Sequence, residues 1–433
     1  MRTVDDGVPG VGRRPEREAL YRRTIRVLLL SQVLSGAGLA AGITVGALLA
    51  EDMIGSTGSA GLPAALFTLG SAAAAILVGR LSHRSGRRPG LAAGYAVGAL
   101  GGAGIVLAAA IDSVGLLFAS LLLYGSGTAT NLQARYAGAD LVEPARRGRA
   151  VSAVLVATTV GAVAGPNLVT STGSVAEEVG IRALAGPFML ATLAYSLAAI
   201  AVFVLLRPDP LLTARAWAAA ELDEAPEGSA AAVEAAGSPR TVRLASVAMV
   251  VTQIVMVAVM TMTPIHMREH GHGLGATGIV ISVHIAAMFL PSPLTGVLVD
   301  RLGRRPIIAA GAVTLLAAGL VAALAPPEST PLLAIALGLL GLGWNFGLVA
   351  GTAMVTDATP LVNRARTQGS VDLAVALAGA TGGMSSGFVV ATTSYAALAL
   401  AGGLLALAML PILLAGPRPQ ARDGPVPPVP LSN

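Results

Sequence analysis

Long apolar runs separated by short polar segments dominate the pattern of this chain. Twelve runs can be distinguished, each close to the roughly 20 residues that a helix needs to cross the hydrocarbon core of a bilayer. Helices suit that core because each satisfies its own backbone hydrogen bonds without water. The predicted spans are residues 25–50, 62–81, 91–111, 114–138, 150–172, 183–206, 244–264, 275–298, 306–325, 330–355, 367–391 and 394–415.

The composition supports an all-α polytopic membrane protein that has the lipid bilayer as its surroundings. Hydrophobic residues make up 54% of the chain, charged residues 12%, and the mean hydropathy is +0.75. The polar, arginine-rich first 24 residues predict that no cleavable signal peptide precedes the first span. The chain has no cysteine, which excludes disulfides and thiolate metal sites. We find no catalytic triad, P-loop or nucleotide motif, so we expect neither an enzyme nor a bound cofactor.

Arginine placement predicts the orientation in the membrane. All 28 basic residues are arginine, and they cluster in the two tails and in alternate loops, whereas Arg182 and Arg268 alone fall in the other loops. Because short basic loops stay in the cytoplasm, both termini are predicted to be cytoplasmic, in a plasma membrane of bacterial type. The formal net charge of +5 therefore reflects topology, and nucleic acid is excluded as a partner.

An internal repeat predicts two halves of six spans each. GRLSHRSGRRPGL begins at position 79, and GVLVDRLGRRPII begins 217 residues later at position 296. Asp140, Arg147 and Arg149 recur 217 residues later as Asp357, Arg364 and Arg366. The predicted organisation is an N-terminal tail (1–24), a first bundle (25–206), a mostly solvated linker (207–243), a second bundle (244–415) and an extended, disordered tail (416–433).

The repeated loop, in a chain of twelve spans with a long central linker, resembles the signature loop of the major facilitator superfamily. That resemblance implies a monomeric transporter whose two pseudo-symmetric six-helix bundles rock about a central cavity. His83 stands where the family has aspartate, which predicts a weakened or pH-dependent latch; the alternative is a solvated loop residue. The implied gating residues are Gly79, His83, Arg84, Gly86 and Arg87 in the first copy, and Gly296, Asp300, Arg301, Gly303 and Arg304 in the second.

The fifth span contains Gly161, Gly165 and Pro166, a spacing that resembles the core of the motif of antiporters in this superfamily. The trailing glycine pair of that motif is missing, with Val169 and Thr170 in its place. The pattern favours efflux, and it predicts a tightly packed or kinked fifth helix.

Met256 and Met260 are four residues apart in the seventh span, and His284 and Met288 repeat that spacing in the eighth. Each pair shares one helix face, and the pairs lie at similar depth on neighbouring antiparallel spans. Thioether and imidazole ligands suit Cu(I). The pairs resemble the motifs of the CcoA-type copper importers, which implies that these four residues bind copper as the substrate. The alternative is that the methionines fill gaps in the packing or form a wall for apolar compounds.

Other polar residues allow further interpretations. The loop after the seventh span carries His266, His270 and His272, which could collect metal or could simply be exposed to solvent. Asp372 lies inside the eleventh span and is a candidate proton carrier, or else half of a buried ion pair with an arginine of the loops.

Three functions compete. Copper uptake is favoured, because four soft ligands share the depth at which this superfamily binds substrate. Proton-coupled efflux of drugs or small organic metabolites is the alternative, and a non-transporting membrane sensor or assembly partner is the third. The fold alone cannot decide among them.

Overall fold

A computed structural model describes residues 14–54, 61–223 and 237–410. These residues form helices and short connections, with no β-strand among them. The predicted disordered tail (416–433) lies outside the described residues, as do residues 1–13 of the N-terminal tail and residues 224–236 of the linker.

The first half is built from seven α-helices and two 3₁₀ turns. Gly86 ends α2 at a φ of 95°, a backbone conformation that residues with a Cβ rarely adopt. Ser113 begins α4 by accepting a hydrogen bond from the backbone N–H of Leu116. The helices are α1 (Arg14–Ile54), α2 (Gly61–Ser85), α3 (Arg87–Ala110), α4 (Val114–Ala139), α5 (Arg147–Asn167), α6 (Val169–Glu178) and α7 (Gly186–Leu205), with turns at Pro144–Arg146 and Ala183–Ala185.

The linker carries α8 (Pro210–Asp223), and the second half carries seven more helices. The predicted eighth span is divided between two of them, because Pro291 and Pro293 lack the N–H groups that a continuous helix would use. The helices are α9 (Pro239–Glu269), α10 (Leu274–Phe289), α11 (Ser292–Leu302), α12 (Arg304–Leu324), α13 (Thr330–Ala358), α14 (Arg364–Thr392) and α15 (Tyr395–Leu407).

Helix α1 begins well before the predicted first span. Its polar first turns are held by ion pairs, from Arg17 to Glu221 at 2.8 Å and from Arg146 to Glu18 at 2.8 Å. The hydrogen bond from Arg146 lowers the pKa of the Glu18 carboxyl. The polar start of α1 is therefore stabilised by contacts with α8 and with the turn before α5. A hydropathy pattern cannot predict such contacts.

The two halves repeat one pattern of helix packing. In the first half α1 packs on α5 and α7, α2 on α4, and α3 on α4 and α7; in the second, α9 packs on α14 and α15, α10 on α13, and α12 on α13 and α15. Each predicted span falls mainly on helix over its described residues, and eight stretches of the described chain are long and apolar enough to cross a membrane. The predicted all-α architecture of two similar bundles is confirmed.

Candidate functional site

The two halves meet at the helix ends that carry the repeated arginine-rich loops, near residues 86, 145, 303 and 360, which we call the arginine-rich end. A Cβ on Gly79 of α2 would lie 2.9 Å from the Cα of Gly369 in α14. A Cβ on Gly148 of α5 would lie 2.7 Å from the carbonyl oxygen of Gly296 in α11. Glycine therefore permits two backbone contacts between the halves that larger residues would prevent.

A buried ion pair joins the halves beside these contacts. Arg135 of α4 donates from Nη2 to Oδ1 of Asp372 in α14 at 2.6 Å, and from Nε to Oγ1 of Thr352 in α13 at 2.9 Å. The hydroxyl of Tyr136 also donates to Asp372 Oδ1, at 3.2 Å. The Arg135 side chain is fully buried and that of Asp372 is 6% exposed. The ion-pair interpretation expected the partner of Asp372 to be an arginine of the loops. The observed partner, Arg135, lies instead in the predicted fourth span.

The second carboxylate oxygen of Asp372, Oδ2, is buried without a hydrogen-bond partner among the described residues. Asp372 is the ninth residue of α14, which places it about 12 Å along the helix from the arginine-rich end. A carboxylate at such a position can bind a proton and so lose its charge, which makes it suited to couple protons to movement of the halves.

Closer to the arginine-rich end, the two halves repeat an arginine–aspartate pair. Arg87 donates from Nε to Asp140 at 2.8 Å, and Arg304 donates from Nε to Asp357 at 2.7 Å. Arg147 crosses between the halves and donates to Asp357 at 2.8 Å. The closed end is therefore held by charge pairs within each half and between them.

Asp300 forms a helix cap across the halves. Its carboxylate accepts from the backbone N–H of Gly148 at 2.8 Å and from that of Arg149 at 3.0 Å, at the first turn of α5. The negative charge also complements the positive end of the α5 dipole. Gly303 has a φ of 97°, close to the 95° of the equivalent Gly86. Arg84 and Arg301, predicted to belong to the same gating loops, are exposed.

His83 makes a different contact from Asp300. Its carbonyl oxygen accepts from Nη1 of Arg215 in α8 at 3.0 Å, and its Nδ1 lies 3.3 Å from Arg215 Nη2. Because a guanidinium only donates, Nδ1 of His83 is the acceptor in this pair. His83 is thus half-buried and in contact with the linker helix α8.

The four predicted copper ligands all lie in the second half, two on α9 and two on α10. His284 is fully buried, with its Nδ1 2.9 Å from the carbonyl oxygen of Leu337. Met256 is buried, whereas Met260 and Met288 are half-buried. Helix α10 packs mainly on α13, whereas α9 packs on α14, α13 and α15, and the two helices contact each other only slightly. Direct packing between α9 and α10 therefore does not bring the two pairs together.

The three histidines at and just after the C-terminal end of α9 divide into two groups. The rings of His266 and His270 lie 4.4 Å apart, and His266 also stacks on Tyr395 at 4.3 Å. Both nitrogens of His272 are engaged, with Nε2 2.8 Å from the carbonyl oxygen of Pro327 and Nδ1 3.1 Å from the Thr330 hydroxyl. In this conformation His272 holds the loop to α13 and presents no free nitrogen for a metal ion.

The glycines of the fifth span pack against the first helix. A Cβ on Gly161 would overlap the carbonyl oxygen of Val33 in α1. Gly165 and Pro166 lie in the last turn of α5, which ends at Asn167.

A polar network in the first half was missed by the sequence analysis. Gln32 of α1 donates to the Thr158 hydroxyl at 3.0 Å and accepts from the Tyr95 hydroxyl at 2.8 Å. Asn131 completes the network by donating to the Ser35 hydroxyl at 2.7 Å. The signal in the sequence was Gln32 itself, inside an otherwise apolar span. A polar side chain within the membrane must find hydrogen-bond partners.

Two similar bundles, joined at one end by buried charges and glycine contacts, are the architecture of a membrane transporter. The sequence matches the Major Facilitator Superfamily over residues 28–291 and again over residues 244–432, and the chain belongs to this family. It is therefore a multi-pass membrane transporter and not an enzyme.

Relatives and solved structures agree with that assignment. The chain is 56% identical over 401 residues to the uncharacterized MFS-type transporter YdeG of Bacillus subtilis (strain 168), covering 92% of this chain and 93% of the relative. It is 33% identical over 362 residues to the riboflavin transporter RfnT of Brucella anthropi, covering 81% and 85%. The human organic anion transporter MFSD10 has a TM-score of 0.72 at 16% identity, covering 91% of this chain and 99% of that one, which shows the fold alone.

Proposed function

We propose that this protein is a proton-coupled transporter of a small organic solute in a bacterial plasma membrane, with Asp372 as the proton-binding group. Positively charged loops are retained in the cytoplasm, so the arginine-rich end faces the cytoplasm in this proposal. The structure then represents the state that is closed on the cytoplasmic side.

The ion pair between Arg135 and Asp372 is the observation that carries the proposal. Opening the arginine-rich end moves α4 away from α14, and so separates two charged groups that are 2.6 Å apart. An unpaired charge inside a membrane is expensive, whereas a protonated carboxyl group is neutral. Protonation of Asp372 would therefore favour opening, which couples proton binding to the change of state.

Replacing Asp372 with asparagine tests the coupling. In proteoliposomes we expect D372N to exchange solute across the membrane but to lose accumulation driven by a pH gradient, since exchange needs no net proton movement. Glu178→Gln removes an exposed carboxylate on α6 and is the matched control. Normal gradient-driven accumulation by D372N would remove Asp372 from the mechanism.

Riboflavin is the solute to test first, because a relative that is 33% identical is named a riboflavin transporter. A riboflavin-requiring bacterium without its own uptake system should grow on limiting riboflavin when it expresses this protein. Uptake of labelled riboflavin would give the rate directly. If correctly inserted protein transports no riboflavin, that solute is excluded, and the coupling experiment is repeated with other organic solutes.

Copper uptake is the second candidate, and His284 is the observation that favours it. With Nδ1–H donating to Leu337, the lone pair is on Nε2, which is buried and has no hydrogen-bond partner among the described residues. Metal-binding histidines commonly donate their other N–H to a backbone carbonyl in this way. The names of the three curated relatives mention no copper, so they lend this candidate no support.

Cellular copper measured by mass spectrometry tests the second candidate. Expression of the protein should raise copper above that of cells without it, and His284→Ala should abolish the rise while His270→Ala leaves it. Equal copper in cells with and without the protein would exclude copper as the substrate.

A further inference from the structure

The two halves close the arginine-rich end by different means. On one side, Asp300 of the second half caps α5 of the first half through two backbone N–H groups. On the other side, the equivalent position in the first half is His83, and no side chain of the described residues caps the start of α14. The pseudo-symmetric structure therefore lacks one of two equivalent bonds between its halves.

Arg215 of the linker helix occupies the place of the missing bond. Its guanidinium donates to the carbonyl oxygens of Leu361 at 3.0 Å and Val362 at 2.8 Å, in the loop that precedes α14. The same guanidinium donates to the carbonyl oxygen of His83 at 3.0 Å, at the end of α2. One side chain thus ties the last turn of α2 to the start of α14, across the halves.

Helix α8 is itself anchored to the first half. Asp209 accepts from the backbone N–H of Arg88 at 2.7 Å, and also from the N–H groups of Leu211 and Leu212, which begin α8. Towards the other end of α8, Glu221 pairs with Arg17 at 2.8 Å, and the same guanidinium lies over the Trp217 ring, 4.6 Å from its centroid. Anchors at both ends mean that α8 moves with the first half, so the bonds from Arg215 to residues 361 and 362 must break when the halves separate.

We infer that α8 is a latch that holds the arginine-rich end closed, with Arg215 taking over the role that an acidic residue would have at position 83. The latch acts only in the closed state, because its bonds join two halves that part on opening. Breaking the bonds from Arg215 to residues 361 and 362 is then a step in every transport cycle. The strength of these bonds sets how readily the arginine-rich end opens.

A cysteine reporter measures opening without any knowledge of the substrate. Ser152 is fully buried on α5, beside Gly296 of the other half, and its hydroxyl has no hydrogen-bond partner among the described residues. In this chain without cysteine, Ser152→Cys is a small change that should react with a membrane-impermeant maleimide only when the end is open. Labelling is measured on full-length protein in inside-out vesicles.

The S152C protein with Arg215→Ala should label about tenfold faster than S152C alone, which corresponds to a loss of about 1.4 kcal/mol. Arg243→Ala, at an exposed arginine in the first turns of α9, is the matched control and should leave the rate unchanged. Adding His83→Asp to the R215A protein should slow labelling again, because an aspartate there can cap α14 as Asp300 caps α5.

Three outcomes would overturn the inference: equal labelling of the R215A and R243A proteins, slower labelling of R215A, or no rescue by H83D. Because R215A could also impair folding, both proteins are first compared for monodispersity in detergent, and if R215A is not monodisperse the milder Arg215→Lys replaces it, with faster labelling still expected. Since no solute is added, failure here leaves the proposed transport function untouched.

Discussion

The glycine contact between α2 and α14 predicts that one methyl group will shift the protein toward its open state. A Cβ at position 79 would lie 2.9 Å from the Cα of Gly369 and 3.0 Å from the carbonyl oxygen of Ala365. Both are backbone atoms, so no side chain can rotate away and the helices themselves must separate. Gly79→Ala therefore disfavours the closed arrangement without altering any charged group.

The size of the effect follows from the tightness of the contact. Forcing an extra methyl group into a well-packed interface costs about 1–3 kcal/mol. This cost falls only on the closed state, because α2 and α14 are apart when the arginine-rich end is open. The ratio of open to closed protein should therefore rise about 5- to 150-fold. Gly387→Ala is the matched control, since the same methyl group there would meet no atom within 4 Å.

The Ser152→Cys reporter again provides the assay. It lies at the contact between α5 and α11, away from both substitutions. Maleimide labelling from the arginine-rich side should be faster in the G79A protein and unchanged in the G387A protein. Equal labelling rates for these two proteins would refute the steric reasoning. Faster labelling of both would mean that any added methyl group loosens α2 and α14, irrespective of contact.

Three further predictions concern charge, stability and topology. Asp357→Asn removes the ion pairs with Arg147 and Arg304, of which only the pair with Arg147 joins the halves. Because that partly exposed pair is worth up to about 1 kcal/mol, labelling of the Ser152→Cys reporter should rise by up to about fivefold, and an unchanged rate would show that the pair does not hold the end closed. Asn345 of α13 accepts from the Thr295 hydroxyl at 2.6 Å and donates to the Ser292 hydroxyl at 2.7 Å, and all three residues are buried. Asn345→Leu leaves these partners unpaired and should lower the free energy of unfolding by about 2–4 kcal/mol, read from heat unfolding in detergent; an unchanged midpoint would show that water replaces the amide. Cysteines replacing Ser85 and His270 should react with impermeant maleimide from opposite sides, Ser85→Cys from the cytoplasm; reaction of both from one side would contradict the topology.

Hydropathy predicted the architecture because the bilayer fixes both the length and the apolarity of a spanning helix. It did not predict the division of the eighth span at Pro291, where two prolines sit inside an otherwise apolar run. Nor did it predict the polar start of α1 at Arg14, which depends on contacts with α8. Both differences arise where local chemistry or tertiary contacts override the average apolarity of a segment.

The sequence identified several residues of the candidate site but not their partners. Asp372 and Arg135 are 237 residues apart, and their meeting depends on how the two bundles pack against each other. The methionine and histidine pairs were expected to converge because their spans follow each other in the chain. In this fold, however, these two consecutive spans are not packing partners: α9 and α10 each meet α13 more closely than they meet each other.

The first helix of each half carries a hydroxyl residue followed by glutamine. Ser31-Gln32 in α1 resembles Thr252-Gln253 in α9, and both glutamines are hydrogen-bonded, Gln253 by accepting from the Trp344 indole at 2.8 Å. Three residues further along, α1 has Ser35, which belongs to a hydroxyl and amide network, whereas α9 has Met256, whose thioether is a poor hydrogen-bonding group. Both helices keep the glutamine but differ at the residue three positions later, so we predict that Met256 contributes more to substrate selection than Gln253 does.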